Sequence, residues 1–332
     1  MATSAKWERV EAALAGRPVD RVPFAFWMHL PEVDRDPERL ARATIDLHRQ
    51  YDMDYVKVMF RSSWCTEDWG VTFRGYHPTR GYLLTERYAV QEPGDWERLP
   101  VLPPDEGTLG EQLRVLRLVA DGLKGEAPIL ATLFAPSMIA AQLAGEATFV
   151  RHLREHPDAV HAGLRAITRT LLHFAQACLD NGADGLFYAI QQASRRVMTE
   201  TEYRSIGRLY DRAVLDDVHG RSRLTMLHLH GDDLMFDELA TYPSHVLNWY
   251  DRVSGPTLAA ARARTTRCLA GGIDHERTLV LGTPEEIAAE VRDAIAQTNG
   301  RGLLLAPGCG VPTIVSEGSL RAAREAALAP VG

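Results

Sequence analysis

The sequence has few cysteines and lacks several patterns that would identify common protein classes. Its 332 residues contain four cysteines, widely spaced and without a CxxC pair. This argues against a disulfide scaffold and favours a reducing compartment. There is no run of basic residues, and the net charge is −7, so electrostatic binding of nucleic acid is not expected.

Long apolar segments are also missing. The first 14 residues carry charges and have no apolar signal core, which favours a cytoplasmic location. The longest uncharged run, residues 127–145, is interrupted by Pro128 and Pro136 and reads as strand, turn and helix. We therefore expect no membrane span and no membrane partner.

Short apolar runs alternate with helical patterns along the remaining sequence. Eight strands are predicted, at residues 22–28, 55–60, 129–134, 184–188, 224–230, 246–250, 268–270 and 302–306. This alternation is typical of a (β/α)8 barrel, an α/β fold. A doubly wound sheet is the competing fold, but no glycine-rich strand-to-helix fingerprint supports it.

One domain is predicted over residues 1–332. A helix over residues 4–15 precedes the first strand, and the alternation fails between residues 61 and 107. Aromatic and turn residues are frequent there, so we predict an excursion of hairpins after strand 2 that covers one end of the barrel.

The central motif is RLTMLHLHGDD at residues 223–233. Its apolar residues occupy both faces of the predicted fifth strand, as in a buried parallel strand. His228 and His230 have the same parity and project to one face. Two buried histidines bonded to the backbone are one interpretation, and a ligand-binding pair is the other.

Cys309, between two glycines just after the eighth strand, favours the ligand-binding pair. In a barrel, residues at the carboxyl ends of strands meet at one mouth. His228, His230 and Cys309 together form the His₂Cys set of a catalytic zinc site, although Cys309 alone is compatible with a small buried apolar residue. Asp232, Asp233 and Asp251 are candidate acceptors for the imidazole N–H groups.

Other polar residues lie near the predicted strand ends and are candidates for binding substrate. They are His29, Lys57, Tyr188, Gln191, Gln192, Asn248 and Asp251.

Five motifs resemble the uroporphyrinogen decarboxylase superfamily over nearly the whole chain. They are GRPVDRVP (16–23), ATLFAP (131–136), GGID (271–274), GTPEEI (282–287) and LLLAPGCGVP (303–312). The resemblance implies a (β/α)8 barrel. True decarboxylases of the superfamily hold tetrapyrrole carboxylates with arginines after the first strand, where this chain reads FWMH at residues 26–29, and they carry a histidine at the position of Cys309.

The chain is more similar to the zinc methyltransferases of the superfamily, which transfer a methyl group from a corrinoid protein to a thiol such as coenzyme M. Their pattern of His-x-Cys plus the cysteine of GCG-x-P falls here on His228, His230 and Cys309. His230 replaces a thiolate, so the implied zinc would be a stronger Lewis acid and a bound thiol a weaker nucleophile.

The function expected from the resemblance is a zinc-dependent methyltransferase or demethylase that acts on a small molecule with a corrinoid protein as partner. The sequence is also compatible with a homodimer. One alternative is a decarboxylase or lyase without metal that uses His29, Tyr188 and Asp251. The other is a non-catalytic ligand-binding barrel.

Overall fold

The computed structural model describes residues 4–329, so the first and last three residues of the predicted 1–332 domain lie outside the described residues. Seven parallel strands form one curved sheet in the order β1-β4-β5-β6-β7-β8-β9, each next to its neighbour in sequence. They are β1 (Val56–Val58), β4 (Ile129–Phe134), β5 (Gly185–Ile190), β6 (Met226–Leu229), β7 (Val246–Trp249), β8 (Cys268–Ile273) and β9 (Leu303–Pro307). The remaining two strands, β2 (Thr72–Tyr76) and β3 (Leu83–Arg87), form an antiparallel hairpin.

Residues 22–28, the predicted first strand, connect the two ends of this sheet. The amide of Ala25 donates to the carbonyl of Leu305 in β9 at 3.1 Å, and the carbonyl of Phe24 accepts from the amide of Asp54, next to β1, at 2.8 Å. Phe24 alone forms a regular bridge, to Leu305. Pro23 has no N–H to contribute, and the amide of Phe26 bonds to Met53 Sδ, so the pairing is shorter than predicted. The fold is the predicted (β/α)8 barrel.

Thirteen helices are described. They are α1 (Ala5–Leu14), α2 (Pro37–Gln50), α3 (Gly107–Leu123), α4 (Pro136–Ala144), α5 (Glu146–Glu155), α6 (Pro157–Asp180), α7 (Glu200–Tyr203), α8 (Leu209–His219), α9 (Phe236–Leu239), α10 (Leu258–Arg262), α11 (Thr278–Leu281), α12 (Pro284–Thr298) and α13 (Glu317–Ala327). Within residues 4–329, no helix combines the length and the apolar composition that a membrane span requires.

Local sequence explains where several helices begin. Thr283 accepts from the amide of Glu286, whose carboxylate accepts from the amide of Thr283, and Pro284 occupies the first turn of α12. This reciprocal pairing satisfies amides that have no partner within the helix. The buried apolar residues of strands and helices form one continuous cluster, and the single domain stays a prediction.

The predicted excursion at residues 61–107 contains the β2–β3 hairpin and two short 3₁₀ turns. Its tip packs against the mouth of the barrel. At Gly81, with φ of +70°, an added Cβ would lie 2.8 Å from Thr313 Cγ2 and 3.0 Å from His29 Cβ. The amide of Thr313 also donates to the carbonyl of Thr79 at 2.7 Å. Only glycine accommodates both this conformation and this close approach.

Candidate active site

His228 lies inside the barrel, on β6, and is 2% exposed. Its ring stacks on Phe187 of β5, with 5.1 Å between ring centroids. Nδ1 lies 2.6 Å from Oδ1 of Asn248, the partner of His228 in the register of β6 and β7. The amide nitrogen of Asn248 donates to the carbonyl oxygens of Ala270 and Pro307, at 3.0 and 3.2 Å.

These contacts determine which nitrogen of His228 carries the proton. Because both carbonyls require a donor, the side chain of Asn248 must present its nitrogen to them and its oxygen to His228. Nδ1 of His228 is therefore the protonated nitrogen, and Nε2 carries a lone pair. Nε2 is buried and has no hydrogen-bond partner among the described residues. Such an orphaned acceptor at a strand end is typical of a metal ligand.

His230 follows the end of β6 and points to the same cavity. Its Nδ1 lies 2.8 Å from the hydroxyl of Tyr250, which follows β7. The centroids of the His228 and His230 rings are 5.8 Å apart. The shared parity predicted from sequence is present, because both rings line one side of the barrel mouth.

Cys309 is held by the loop after β9. The amide of Gly308 donates to the carbonyl of Ile273 at 3.1 Å, and the amide of Val311 donates to the carbonyl of Trp27 at 2.8 Å. An added Cβ at Gly308 would lie 3.2 Å from Tyr250 Cα and 3.3 Å from His275 Nδ1. A larger residue at position 308 would therefore push the loop away from the histidines.

The sulfur of Cys309 lies close to the imidazoles of His228 and His230. One ligand atom from each of His228, His230 and Cys309 lies within 4.8 Å of the others, and Cys309 Sγ is 3.8 Å from His230 Nδ1. Burial opposes ionisation of the thiol, but the charge interaction with His228 and the contact with His230 outweigh it and hold the pKa of Cys309 well below its usual range. Burial lowers the pKa of His230, and contact with Cys309 more than offsets this, so the net shift is upward.

This donor set fits a zinc ion. One thiol and two imidazoles from three separate chain positions, with a lone pair already directed into the cavity, are the ligands that zinc takes in catalytic sites. Such sites hold three protein ligands and leave a fourth position for water or substrate.

A cavity of about 430 Å³ opens beside the cluster. Its floor contains His228, His230 and Cys309, and its side walls come from the inner faces of the strands. The β2–β3 hairpin and its turn contribute Phe73, Tyr82 and Leu83 to the outer wall. The cavity has the size usual for a small-molecule site.

The seven other residues singled out from the sequence divide into two groups. His29, Lys57 and Gln191 line the cavity. Burial, followed by the charge of Lys57, lowers the pKa of His29 to about 3. Tyr188, Gln192, Asn248 and Asp251 are not among the lining residues.

Each residue of the second group is occupied elsewhere or buried. The hydroxyl of Tyr188 donates to Asp211 at 2.9 Å on the helix side of β5, because Phe187 and Ala189 take the inward positions. Gln192 is 1% exposed, and Asp251 accepts from the amide of Gly272 at 3.0 Å. Asn248 lies behind His228 and orients it.

The prediction that carboxylates accept from the imidazoles is wrong. Asn248 and Tyr250 contact the histidines instead. Asp232 accepts from Ser254, and Asp233 pairs with Arg195. The turn at Gly231, with φ of +102°, directs the chain away after His230, so residues next to the motif in sequence are not next to its rings.

Several residues of the site were not identified from the sequence. They are Tyr250, His275 and the cavity-lining residues of the hairpin, including Arg80. Tyr250 follows β7 at the same mouth, and that position is the signal that could have identified it. The hairpin residues give no comparable signal, because an irregular excursion has no periodicity.

The chain is thus a (β/α)8 barrel protein in which His228, His230 and Cys309 cluster at the carboxyl ends of the strands. The family description "Uroporphyrinogen decarboxylase (URO-D)" matches residues 5–329. The chain belongs to the uroporphyrinogen decarboxylase family, as the sequence motifs predicted.

Similar proteins place the chain near the methyltransferases of this family. It is 23% identical to methylcobamide:CoM methyltransferase MtbA of Methanosarcina mazei over 335 residues, covering 95% of each chain. It is 24% identical to methylcobamide:CoM methyltransferase MtaA of Methanosarcina barkeri, covering 91% of each. A solved structure, "methyltransferase from Methanosarcina mazei", superposes with a TM-score of 0.84 at 20% identity and covers 98% of both chains. The predicted similarity to the methyltransferase branch is confirmed.

Proposed function

We propose that this protein is a zinc-dependent methyltransferase that moves a methyl group between a small sulfur or oxygen compound and a corrinoid carried by a partner protein. One observation carries the proposal. His228 Nε2 is a buried lone pair without a partner in the described chain, and it belongs to a cluster with His230 and Cys309 whose ligand atoms lie within 4.8 Å of one another.

His228, His230 and Cys309 would hold the ion. Bound there, zinc would lower the pKa of a coordinated thiol, hydroxyl or water and stabilise its anion. The nearby protein groups prepare the ligands. Asn248 fixes the tautomer of His228, Tyr250 contacts His230, and Gly308 lets the Cys309 loop lie close.

The methyl group is transferred between two nucleophiles, which are the cobalt of the corrinoid and the sulfur or oxygen of the small molecule. When it leaves the corrinoid, the cobalt–carbon bond breaks and its electron pair stays with cobalt, while a lone pair of the acceptor forms the new bond to carbon. The opposite direction breaks the methyl–oxygen or methyl–sulfur bond and uses the cobalt electron pair. The aromatic and aliphatic side chains of the cavity wall would limit the access of water, which would otherwise compete as an acceptor.

His230 distinguishes this site from the His-x-Cys pattern of the similar methyltransferases. With one thiolate and two neutral imidazoles, zinc would keep a net charge of +1, which strengthens its Lewis acidity. We therefore propose that the substrate is not restricted to coenzyme M.

His29 and Gln191 are proposed to contact the substrate, because both line the cavity. A reducing, cytoplasmic environment is proposed as well, and the four free cysteines support it.

Metal analysis tests the proposal directly. The purified protein is expected to contain about one zinc per chain, and Cys309→Ala is expected to lose it. The matched control is Cys268→Ala, which removes a buried thiol from β8 outside the cavity and should retain the metal. Wild-type protein that takes up no zinc at a stoichiometric level would remove the basis of the proposal.

Methyl transfer is measured separately, with methylcobalamin as donor and a panel of thiols and phenols as acceptors. Loss of the cobalt–carbon bond changes the visible spectrum of the corrinoid. The rate is expected to fall at least a hundredfold in Cys309→Ala and after chelation. Methyl transfer that survives chelation would refute the zinc dependence, whereas metal-independent decarboxylation without methyl transfer would favour a lyase that uses the same cavity.

A further inference from the structure

The cavity contains a buried lysine in an unusual setting. The chain has only three lysines, Lys6, Lys57 and Lys124. Lys57 lies on β1, lines the cavity and is 8% exposed. Its neighbours in sequence, Val56 and Val58, have the opposite parity and pack behind the strand. The cation is therefore directed into the barrel.

Lys57 has no carboxylate partner among residues 4–329. Its Nζ contacts Met59 Sδ at 2.8 Å and lies 4.3 Å from the ring centroid of Phe187 and 5.7 Å from that of Trp27. Burial lowers the pKa of Lys57 to about 7, and the single opposing influence is the more distant Cys309. Aromatic rings compensate a desolvated ammonium only in part.

Arg80, the other long cation of the cavity wall, is in a different state. It pairs with Glu276 at the rim, and its side chain is 42% exposed. Arg80 therefore already has a carboxylate partner and is in contact with solvent. Lys57 is the deeper cation and the one still available to a ligand. Because a buried unpaired charge is costly, an anionic group of the ligand would find a strong partner here.

The position of Lys57 relative to the metal ligands limits the shape of that ligand. Phe187 contacts the Lys57 ammonium and also stacks on His228, with an interplanar angle of 27°. The two distances to the Phe187 centroid, 4.3 Å from the ammonium and 5.1 Å from the His228 centroid, place the ammonium and the imidazole no more than about 9.4 Å apart. A flat ring with substituents at opposite positions spans a gap of this size, so one substituent would lie near Lys57 and the other near His228.

The remaining walls favour such a ring. Seven of the 24 lining residues are aromatic, although aromatic residues make up 8% of the chain. The cavity of about 430 Å³ is much larger than a two-carbon thiol requires, and such a thiol would leave most of these apolar walls uncovered. The aromatic residues are Trp27, Phe60, Trp64, Phe73, Tyr82, Phe134 and Phe187.

We propose that the substrate is an aromatic carboxylic acid whose ring carries the reacting oxygen or sulfur, and that Lys57 determines specificity by pairing with its carboxylate. The inference rests on the proposed function for the fate of the methyl group, but not for binding of the acid. The ether or thiol end faces His228, His230 and Cys309, and the ring packs between the aromatic walls.

Calorimetric titration tests binding without requiring turnover. The probes are 4-methoxybenzoate, its neutral counterpart methoxybenzene, and 2-mercaptoethanesulfonate, which is acidic but has no ring. Wild-type protein is expected to bind 4-methoxybenzoate at least tenfold more tightly than either of the others. Lys57→Met, of similar length and without charge, should lose at least tenfold for the acid and less than twofold for methoxybenzene. Lys124→Met, at an exposed helix end, is the control and should behave as wild type.

The comparison of probes on wild-type protein keeps the inference testable even where Lys57→Met does not fold. Saturable binding of methoxybenzene equal to that of 4-methoxybenzoate would overturn it, as would unchanged affinity of a folded Lys57→Met for the acid. Repeating the titrations on chelated protein separates the two proposals. Binding of the acid with neither zinc uptake nor methyl transfer would leave this inference standing and refute the proposed function.

Discussion

Asn248 and His228 share a hydrogen bond of 2.6 Å at equivalent positions of adjacent parallel strands. The amide nitrogen of Asn248 is committed to two backbone carbonyls, so its oxygen cannot rotate away from the ring. A side chain outside the cavity lining therefore determines which nitrogen of His228 can bind a ligand within it.

Asn248→Ala should weaken metal binding without removing a ligand. The imidazole would lose its fixed tautomer and orientation, and loss of such a partner typically costs 10- to 100-fold in metal affinity. Competition with a chromogenic chelator measures the change. Asn181→Ala, at the end of α6, serves as the control. Equal zinc affinities for Asn248→Ala and wild type would show that Asn248 does not act through His228.

The two glycines around Cys309 should respond differently to alanine. At Gly308 the new Cβ would lie 3.2 Å from Tyr250 Cα and 3.3 Å from the carbonyl of Trp249, both backbone atoms. At Gly310 it would meet the flexible end of Met59 at 3.5 Å. Gly308→Ala is therefore expected to cost about 1 to 3 kcal/mol of stability and at least tenfold in zinc affinity.

Gly310→Ala is the matched control, because it adds the same methyl group at ordinary van der Waals distance from its neighbours. It should leave the melting temperature and the zinc affinity close to wild type. Equal losses in the two variants would indicate that the loop tolerates no side chain at either position, and the close approach at Gly308 would lose its special role.

His48 should make the protein less stable in mild acid. It is fully buried on α2, with Nε2 3.2 Å from both Lys6 Nζ and Glu126 Oε1. Burial, followed by the charge of Lys6, lowers its pKa from 6.5 to about 4. The unfolded chain takes up a proton below pH 6.5, whereas the folded chain does so only near pH 4. Stability present above pH 6.5 is therefore lost as the pH falls between these values.

Urea unfolding at pH 7 and pH 5 measures this contribution. The free energy of unfolding should fall less in His48→Gln than in wild type, by about 1 to 2 kcal/mol. His173→Gln, at an exposed helix position, should keep the wild-type pH dependence. An equal decline in wild type and His48→Gln would assign the acid sensitivity to other groups.

Tyr188→Phe separates a structural role from substrate binding. Tyr188 and Tyr203 both donate to the buried carboxyl of Asp211, at 2.9 and 2.8 Å. Loss of one donor should reduce stability by about 1 to 3 kcal/mol and change methyl-transfer kcat/KM by less than twofold. Tyr88→Phe, at an exposed position, is the control for removal of a hydroxyl. A large fall in kcat/KM at unchanged stability would restore Tyr188 as a substrate-binding residue.

The alternation of side chains along a strand made part of this site predictable from the sequence. His228 and His230 could be placed on one face because side chains two apart in a strand share a face, and β4 was predicted at its observed bounds. Parity does not say which face is inward, so Tyr188 was assigned to the cavity although Phe187 occupies it. Asn248 was identified as polar near a strand end, but its role depends on strand register, which no local pattern contains.

The hairpin formed by β2 and β3 contributes to the wall of the cavity but not to the cluster of His228, His230 and Cys309. The residues that would carry the chemistry lie on barrel strands or just after them, whereas part of the outer cavity wall belongs to the excursion, whose tip is held at Gly81 and Thr79. Exchanging this excursion would therefore alter part of the cavity wall while leaving Lys57, His228, His230 and Cys309 in place. Grafting this excursion onto a related barrel offers a practical route to altered selectivity.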